Sequence, residues 1–342
     1  MARTRIALVG LGMAVDPHAR SLLELEDRVE VAYAFSPTEG RRRAFSERFP
    51  FPSCDSLETI LADRSVAAML ILTPPNTHLD LVRRAAAAGK HVLLEKPIEV
   101  TTERSEALVE ACRAAGVKLG MVLQHRFRPA ARKLASLVRE GELGGLVGAS
   151  ACMRLWRPQS YYDEPGRGTL ARDGGGVLLT QGIHTLDLYL SLAGPVPEVF
   201  AFATTTRLHR METEDLVCGS VRFADGALGI VEATTAAYPG SPERIELIGT
   251  NGTARLVGTG LEVSFLDGRE VHMGSDASAG GTGASPMDFP HAWHRDLILD
   301  FVDAIETRRD PMVTGQAALK VHRFIDALLE SSRTGKPCAV RS

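Results

Sequence analysis

The sequence predicts an α/β protein of two domains, in which a doubly wound parallel sheet precedes an α+β domain with a large, mostly antiparallel open sheet. Three observations carry this prediction. In the first 123 residues, short apolar strands alternate with helical segments, which is typical of parallel βαβ units. After residue 198, strands follow one another with Asp-Gly and Asn-Gly pairs at hairpin spacing. The length of 342 residues also exceeds what one hydrophobic core usually serves.

The composition is that of an ordinary globular chain and argues against several classes of function. Hydrophobic residues make up 44% and charged residues 24%, and the net charge is −3, so neither a nucleic acid nor an anionic membrane is expected as a partner. The five cysteines are scattered and form no C-x-x-C pair, which predicts reduced thiols in a cytoplasmic protein. We expect no metal site and, because no apolar stretch reaches about 20 residues, no membrane span.

The first strand, residues 5–9, leads into a glycine-containing loop. The basic and apolar start resembles a signal peptide, but the run contains Gly10 and Gly12 and lacks a small-residue cleavage site, so we interpret it as a mature strand and loop. Gly10 would permit a tight turn, and Gly12 a close approach of the backbone to a pyrophosphate. Val15 stands at the position of the third glycine in the dinucleotide-binding pattern G-x-G-x-x-G. We expect the next helix to begin at Pro17.

Asp16 is the expected N-cap of this helix, because aspartate suits that position and proline suits the first helical position. Its carboxylate would repel a nearby pyrophosphate. The loop is therefore expected to hold Asp16 aside.

The second strand spans residues 29–35. The residue at its end determines whether a dinucleotide-binding domain prefers NAD or NADP. An acidic residue there would accept hydrogen bonds from the ribose 2′-hydroxyl of NAD. This chain has Ser36, followed by Arg41 and Arg42, and a hydroxyl with a nearby guanidinium suits a 2′-phosphate. We expect NADP to be favoured over NAD. The alternative is that the arginines only form a solvated helical turn.

Two further strands of the first domain end in loops that bear candidate functional groups. The strand at 67–72 runs into residues 73–78, where prolines stop it sharply. The strand at 91–94 reads as a buried parallel strand and is followed by Glu95-Lys96-Pro97. Open α/β sheets bind ligands at this edge, so Lys96 is placed where chemistry would occur.

The second half begins with a helix at 129–139 and a long strand at 147–157. Further strands are expected at 199–206, 216–223, 227–235, 244–249, 253–257, 261–266 and 270–273. A stretch rich in Gly, Ala and Ser, residues 275–290, is expected to be a mobile surface loop. Two helices, at 292–306 and 314–331, close the chain.

A helix predicted over residues 177–192 carries a polar stripe on an otherwise apolar sequence. Thr180, His184 and Asp187 are separated by four and three residues, so they would share one face. Such a stripe must be buried, paired or functional. The alternative to function is a buried histidine that Asp187 satisfies. The stripe offers at most two good metal ligands, which is too few for a metal site.

These motifs together resemble the glucose–fructose oxidoreductase / inositol dehydrogenase (Gfo/Idh/MocA) family. The G-x-G loop, the loop at 73–78, the Glu95-Lys96-Pro97 motif, the helix at 177–192 and the closing helix occur in family order. The resemblance implies a Rossmann domain over residues 1–123 that binds NAD or NADP. It implies a substrate-binding and oligomerisation domain over residues 124–342, whose closing helices can pack back on the first domain. It also implies a homo-dimer or homo-tetramer formed through the second sheet.

The resemblance also implies roles for individual residues. Catalysis is assigned to Lys96 and His184, together with Thr180 and Asp187, although relatives often carry Asp or Asn at the position of Thr180. Cofactor contacts are expected from Gly10, Gly12, Met13, Ala14, Ser36, Arg41, Thr73, Pro74, Asn76, His78, Glu95, Lys96 and Pro97. Substrate contacts are expected from Lys96, Arg126, Trp156, Arg157, Tyr161, Thr180 and His184, and Arg157 or Arg167 would suit a carboxylate or phosphate. The Lys96–Pro97 peptide bond is expected to be cis.

The expected reaction is reversible hydride transfer between the nicotinamide and a carbinol carbon of a sugar-like substrate. His184 would exchange the hydroxyl proton, Lys96 would stabilise the charge on the same oxygen, and Asp187 would orient the imidazole. A second function stays open on the same fold, that of a non-catalytic dinucleotide- or sugar-sensing regulator.

Overall fold

Strands alternate with helices through the first part of the chain, as the sequence predicts. The computed structural model describes residues 3–274 and 290–341, so nearly all of the loop expected at 275–290 lies outside the described residues. Contacts between Cα atoms divide the chain into a first unit, residues 3–124 with 291–319, and a second unit, residues 125–290 with 320–342. Numbered along the chain, the elements up to residue 124 are β1 (Thr4–Val9), α1 (Val15–Glu24), β2 (Val29–Phe35), α2 (Glu39–Ser46), β3 (Ser53–Cys54), α3 (Leu57–Ala62), β4 (Ala68–Ile71), α4 (His78–Ala87), β5 (His91–Leu94), α5 (Thr102–Ala114) and β6 (Leu119–Met121).

The strands of the first unit form one parallel sheet, which among the described residues runs β3-β2-β1-β4-β5-β6. β1, β4 and β5 are almost wholly buried, because helices connect each strand to the next across the faces of the sheet. The chain order reverses between β1 and β4. At such a switch point the loops after two neighbouring strands diverge and leave room for a ligand.

A late helix, α11 (Ala292–Glu306), also belongs to the first unit. Its start accepts a hydrogen bond at the His291 carbonyl from Ser21 Oγ, at 2.9 Å. Near its end, Asp303 pairs with Arg28, in the turn between α1 and β2, at 2.7 Å. The sequence predicts a domain boundary between residues 123 and 124. That boundary places this helix in the second domain but allows it to pack on the first. Here it completes the first unit.

The second unit contains the elements α6 (Pro129–Arg139), β7 (Leu146–Arg154), α7 (Gln159–Tyr162), α8 (Leu170–Asp173), α9 (Val177–Thr180), α10 (Ile183–Ala193), β8 (Glu198–Thr204), β9 (Leu216–Arg222), β10 (Leu228–Thr234), β11 (Arg244–Gly249), β12 (Gly252–Val257), β13 (Gly260–Phe265), β14 (Glu270–Met273), the later part of α12 (Gly315–Thr334) and β15 (Cys338–Ala339). In the described part of the chain its sheet runs β14-β13-β12-β11-β7-β10-β9-β8-β15. Neighbours are antiparallel except for β7 and β10. The predicted large, mostly antiparallel sheet is therefore confirmed.

The two faces of this second sheet differ in cover. On one face Ala149, Ala151 and Met153 of β7 are buried, and Tyr189 of α10 packs there with its hydroxyl 3.4 Å from the Ala149 carbonyl. On the opposite face the apolar side chain of Ile230 is 59% exposed. Among the helices that the structure describes, none has the length and apolar character to cross a membrane.

Candidate functional site

The loop after β1 has the geometry of a phosphate-binding turn. Gly10 has a φ of +104°, and a Cβ at this position would lie 2.9 Å from Thr73 Cγ2, so the turn requires glycine. A Cβ on Gly12 would meet no described atom within 4 Å, which leaves this stretch of backbone open to a ligand. Helix α1 follows directly, and the N–H groups at a helix start favour an anionic group. Together with Met13 and Ala14, these residues fit a dinucleotide pyrophosphate.

Helix α1 begins two residues earlier than the sequence predicts. Its first residue is Val15 and not Pro17, so Asp16 lies inside the first turn and is not the N-cap. Val15 is only 3% exposed, and burial of its apolar side chain favours the earlier start. The carboxylate of Asp16 forms an ion pair with Arg48. That pair offsets the negative charge which would otherwise oppose a pyrophosphate.

The end of β2 differs from the predicted arrangement around Ser36. Ser36 is 1% exposed, and its Oγ accepts a hydrogen bond from the backbone N–H of Thr38 at 3.3 Å. The guanidinium of Arg42 donates to the Ser36 carbonyl at 2.7 Å. Arg41 is exposed on α2. The hydroxyl of Ser36 therefore faces the protein interior. Of the residues predicted to bind a 2′-phosphate, Arg41 is exposed at the surface.

The loop after β4 is fastened from inside by His78. This residue was expected to contact the cofactor, but it is completely buried. Its Nε2 lies 2.8 Å from the Thr73 carbonyl and its Nδ1 lies 3.1 Å from the Ile98 carbonyl, so the single N–H of a neutral ring finds a carbonyl acceptor in either tautomer. Burial lowers the pKa of His78. His78 therefore holds two loops together, and Asn76, which is exposed, stays available as a cofactor contact.

Glu95, Lys96 and Pro97 lie at the carboxyl end of β5, and the Lys96–Pro97 peptide bond is cis, as the resemblance implied. Glu95 was expected to contact the cofactor. Instead its Oε1 lies 2.9 Å from His18 Nε2, and its Oε2 accepts a hydrogen bond from the Lys96 backbone N–H at 2.9 Å. Burial alone would raise the pKa of Glu95, but the His18 contact and the Lys96 charge outweigh burial and lower it. An ionised carboxylate thus anchors the main chain that carries Lys96.

Three side chains with metal-ligating atoms meet behind this turn. The ligating atoms of His18, Glu95 and His294 lie within 4.8 Å of one another, and the two imidazole rings pack edge to face. Burial holds the pKa of His294 well below its ordinary value, so this ring is neutral. Because both oxygens of Glu95 already lie at hydrogen-bonding distance from ring or backbone nitrogens, we interpret the group as a hydrogen-bonded cluster and not as a metal centre.

The helix predicted over residues 177–192 is interrupted between α9 and α10. The N–H of Gly182 donates to the Val177 carbonyl at 2.7 Å, five residues back, which inserts one extra residue into the helical path. A Cβ on Gly182 would lie 3.1 Å from that carbonyl and 3.2 Å from Met153 Sδ, so glycine suits this tight turn. The prediction of one continuous helix was wrong because sequence spacing does not reveal such a turn.

The extra residue changes the relation between Thr180 and His184. The four-residue step no longer fits one regular helix face, since the turn between them is wider than a normal helical turn. Thr180 Oγ1 donates to the Gly176 carbonyl at 2.6 Å and also contacts Gln181 Oε1. Gln181 Nε2 in turn donates to the Tyr161 hydroxyl at 3.4 Å. Thr180 is therefore joined to the predicted substrate loop by a polar chain.

His184 is half-buried and its ring stacks on His125, with 4.9 Å between centroids. Asp187, expected to orient His184, is fully buried, and both of its oxygens accept hydrogen bonds from Arg126. Burial raises the pKa of Asp187 against the opposing effect of this guanidinium. Arg126 was expected to bind substrate. With Nε and Nη2 on Asp187, a substrate contact would fall to its remaining Nη1.

The loop between β7 and α9 surrounds Tyr161 with cations. The guanidinium carbon of Arg167 lies 4.2 Å from the Tyr161 ring centroid, and that of Arg157 lies 5.4 Å away. Arg167 also pairs with Glu164 at 2.6 Å. Arg157 is 6% exposed and donates to the Trp156 carbonyl at 2.8 Å. The cluster brings together Trp156, Arg157, Tyr161 and Arg167, which remain predicted substrate residues.

Sequence reasoning missed three residues of the site. His18 lies on α1 next to the glycine loop, and a polar residue inside an apolar helix was the available signal. His125 follows the last strand of the first sheet, and nothing in its sequence spacing indicates that its ring stacks on His184. Gln181 adjoins Thr180, and its side chain reaches the Tyr161 hydroxyl next to the turn at Gly182, which the sequence does not reveal.

Comparison with known families gives matches over most of the chain. The family model described as an oxidoreductase family with an NAD-binding Rossmann fold matches residues 4–123. The model of the GFO/IDH/MocA C-terminal domain matches residues 131–255.

Individual relatives match over most of the chain. D-xylose 1-dehydrogenase (NADP(+)) 2 of Haloferax volcanii is 29% identical over 90% of either chain. The rhizopine catabolism protein MocA of Rhizobium meliloti is 30% identical over 74% of this chain and 78% of its own. The crystal structure of the WlbA dehydrogenase from Bordetella pertussis, in complex with NADH and UDP-GlcNAcA, aligns over 100% of both chains with a TM-score of 0.84 and 26% identity.

Proposed function

Because the chain belongs to the GFO/IDH/MocA family of oxidoreductases, we propose that it transfers a hydride between a nicotinamide dinucleotide and a carbinol carbon of a sugar, sugar derivative or cyclic polyol. The observation that carries the proposal is the anchored turn at the end of β5. There Glu95 fixes the main chain of Lys96 at the edge where such sheets bind ligands. The sugar and polyol dehydrogenases among the relatives favour this function over a regulatory one.

The chemistry divides between the dinucleotide and the protein. The bound dinucleotide supplies the hydride acceptor or donor. His184 takes the substrate hydroxyl proton during oxidation and returns it during reduction, since an imidazole titrates near neutral pH. Lys96 donates a hydrogen bond to the same oxygen and stabilises the negative charge that develops on it. Thr180 serves as a neutral hydrogen-bonding neighbour.

We propose that NADP is preferred over NAD. The first residue after β2 is Ser36, where an aspartate or glutamate would favour the ribose of NAD. Arg41 lies exposed on the helix that follows and provides a guanidinium for a 2′-phosphate. Titration of the protein with NADPH and NADH tests this preference. Arg41→Ala should weaken NADPH binding and leave NADH binding unchanged, whereas tighter binding of NADH by the wild type would reject it.

The substrate is proposed to lie against the cluster around Tyr161. Trp156 and Tyr161 offer aromatic surfaces for a sugar ring, and Arg157 and Arg167 offer charge for an anionic substituent. Among the structural neighbours, WlbA was crystallised with UDP-GlcNAcA.

We further propose that the chain works as a homo-dimer or homo-tetramer in the cytoplasm. The uncovered face of the second sheet presents Leu228, Ile230 and Ile248, which are 60%, 59% and 46% exposed on the two strands that flank β7. A contiguous apolar patch of this kind favours association. Ile230→Lys should dissociate the oligomer, and light scattering should then give the mass of the monomer. The five free thiols suit a reducing compartment.

The decisive experiment is a screen of oxidisable sugars and polyols with both cofactors, followed by two variants. Lys96→Met and His184→Asn should each lower kcat by about 100-fold or more, as expected for groups that handle the proton and the charge. Cofactor binding should persist in both variants. Lys336→Met and His272→Asn, at exposed positions, provide matched controls.

Turnover by both variants at the rate of the wild type would reject the proposal. Binding of cofactor without turnover of any substrate by the wild type would favour the regulatory function instead.

A further inference from the structure

His125 makes a ring contact that the mechanism above does not use. Its imidazole stacks on that of His184 with centroids 4.9 Å apart and an angle of 29° between the planes. Both residues belong to the second unit. A ring in this position restricts the rotation of His184 about its side-chain bonds. Its charge would also act on His184 at very short range.

Arg128 determines which nitrogen of His125 carries a proton. The Nη2 of Arg128 lies 2.6 Å from His125 Nε2. A guanidinium can only donate, so Nε2 must accept and the single ring proton must lie on Nδ1. The Nδ1 atom is 3.8 Å from Glu243 Oε1, on the side where a proton is favoured. Protonation of Nε2 would set two donors against each other, which keeps the ring neutral.

Among the described residues, two ion pairs lie close to the stacked rings. Arg128 is 6% exposed, and its Nη1 contacts Glu243 Oε1 at 2.5 Å. Burial would raise the pKa of Glu243, but Arg128 outweighs burial and lowers it, so the carboxylate is ionised. The second pair joins Arg126 to Asp187, three residues along α10 from His184. Each pair brings together one positive and one negative group.

We propose that His125 is a positioning residue for His184. Its neutral ring sets the plane of the proton-carrying imidazole and spares it a positive neighbour when it takes up a proton. The inference rests on the proposed function, in which His184 exchanges the substrate proton.

Kinetics of two variants test the positioning role. His125→Ala removes the stacked ring and should lower kcat about tenfold with little change in KM, because a small displacement of the reacting group costs rate more than binding. His125→Phe keeps a neutral ring and should retain most of the activity and the pH profile of the wild type. Loss of thermal stability alone, with an unmoved kcat and pH profile in His125→Ala, would overturn the proposal.

Imidazole ¹⁵N spectra of the histidine-labelled wild type test the protonation state without turnover. The Nε2 signal of His125, assigned by its loss in His125→Phe, should remain that of an unprotonated nitrogen at about pH 5, below the ordinary pKa of a histidine side chain. In Arg128→Met, His125 should titrate and the acid limb of the kcat profile should shift. Protonation of His125 Nε2 in the wild type near the ordinary histidine pKa of about 6.5 would overturn the inference.

The outcomes separate this inference from the function on which it rests. Turnover by both Lys96→Met and His184→Asn at the rate of the wild type would reject the proposed function and the positioning role together. An inactive His184→Asn variant combined with fully active His125→Ala would reject the positioning role alone.

Discussion

Arg126 holds Asp187 with two parallel hydrogen bonds, from Nε to Oδ2 at 2.7 Å and from Nη2 to Oδ1 at 2.6 Å. The carboxylate is fully buried, and the guanidinium side chain is 18% exposed. A two-armed pair of this kind fixes both groups in orientation as well as in distance. It ties the segment before α6 to α10, which carries His184.

We predict that Arg126→Ala destabilises the protein by about 3–5 kcal/mol, because it leaves a carboxylate buried without its cation. Chemical unfolding of the wild type and the variant measures the difference. Replacement of both partners, Arg126→Met with Asp187→Leu, should cost much less than the sum of the single changes. If the loss of unfolding free energy in the double variant equalled the sum of the losses in the two single variants, the two side chains would stabilise the fold independently of each other.

His18→Asn should lower kcat about tenfold or more and leave the KM of the substrate nearly unchanged, since a small shift of a catalytic group has a large effect on rate. The variant loses the contact between His18 Nε2 and Glu95 Oε1, and Glu95 then holds the Lys96 backbone less firmly. Steady-state kinetics with both substrates checks this prediction. His272→Asn, at an exposed histidine, controls for the change of residue type, and wild-type kcat in His18→Asn would refute the link.

Stability should fall as the pH is lowered from about 7 toward about 5, by at most about 1.4 kcal/mol per pH unit for each buried neutral histidine. His294 has a folded-state pKa well below that of the unfolded chain, so the unfolded state binds the extra proton. The stabilisation that comes from neutral His294 is fully present at pH values above the histidine pKa of the unfolded chain. It is lost as the pH falls below that pKa. His78, whose pKa burial also lowers, acts in the same direction.

His294→Phe keeps a ring in this place and should flatten that pH dependence. Unfolding midpoints at several pH values measure it, and His272→Phe should leave the slope unchanged. A slope that His294→Phe does not alter would show that the folded protein protonates His294 as readily as the unfolded chain does.

Treatment with a metal chelator should change neither kcat nor Tm, because the carboxylate at the His18–Glu95–His294 cluster already lies within hydrogen-bonding distance of ring and backbone nitrogens. Added zinc should likewise leave Tm in place, since a ligand that binds the folded state would raise it. A zinc-dependent rise in Tm that His18→Asn abolishes would identify a metal site here.

Much of the fold followed from patterns that act over a few residues. The alternation of apolar strands with helices predicted the parallel sheet, and the Asp-Gly and Asn-Gly pairs predicted the antiparallel one. Helices such as α6, at Pro129–Arg139, have the bounds that their sequence indicates. Patterns of this kind suffice where local preference and tertiary packing agree.

The errors arose where packing between distant segments decides. The early start of α1 depends on burial of Val15, and the interrupted helix depends on a turn around Gly182 that Met153 confines. The burial of His78 depends on carbonyl groups about twenty residues away. Spacing in the sequence does not report such contacts, so the residues could be identified while their partners could not.

The first unit draws its elements from opposite ends of the chain, and this has a consequence for synthesis. The ribosome releases residues 3–124 long before α11, whose Asp303 binds Arg28 and whose Phe301 fills the space over Gly120. The nascent sheet therefore lacks this packing until residues 292–306 have been translated. Exposed apolar surface on a waiting domain invites aggregation, so chaperone occupancy should peak in that interval and end when α11 emerges.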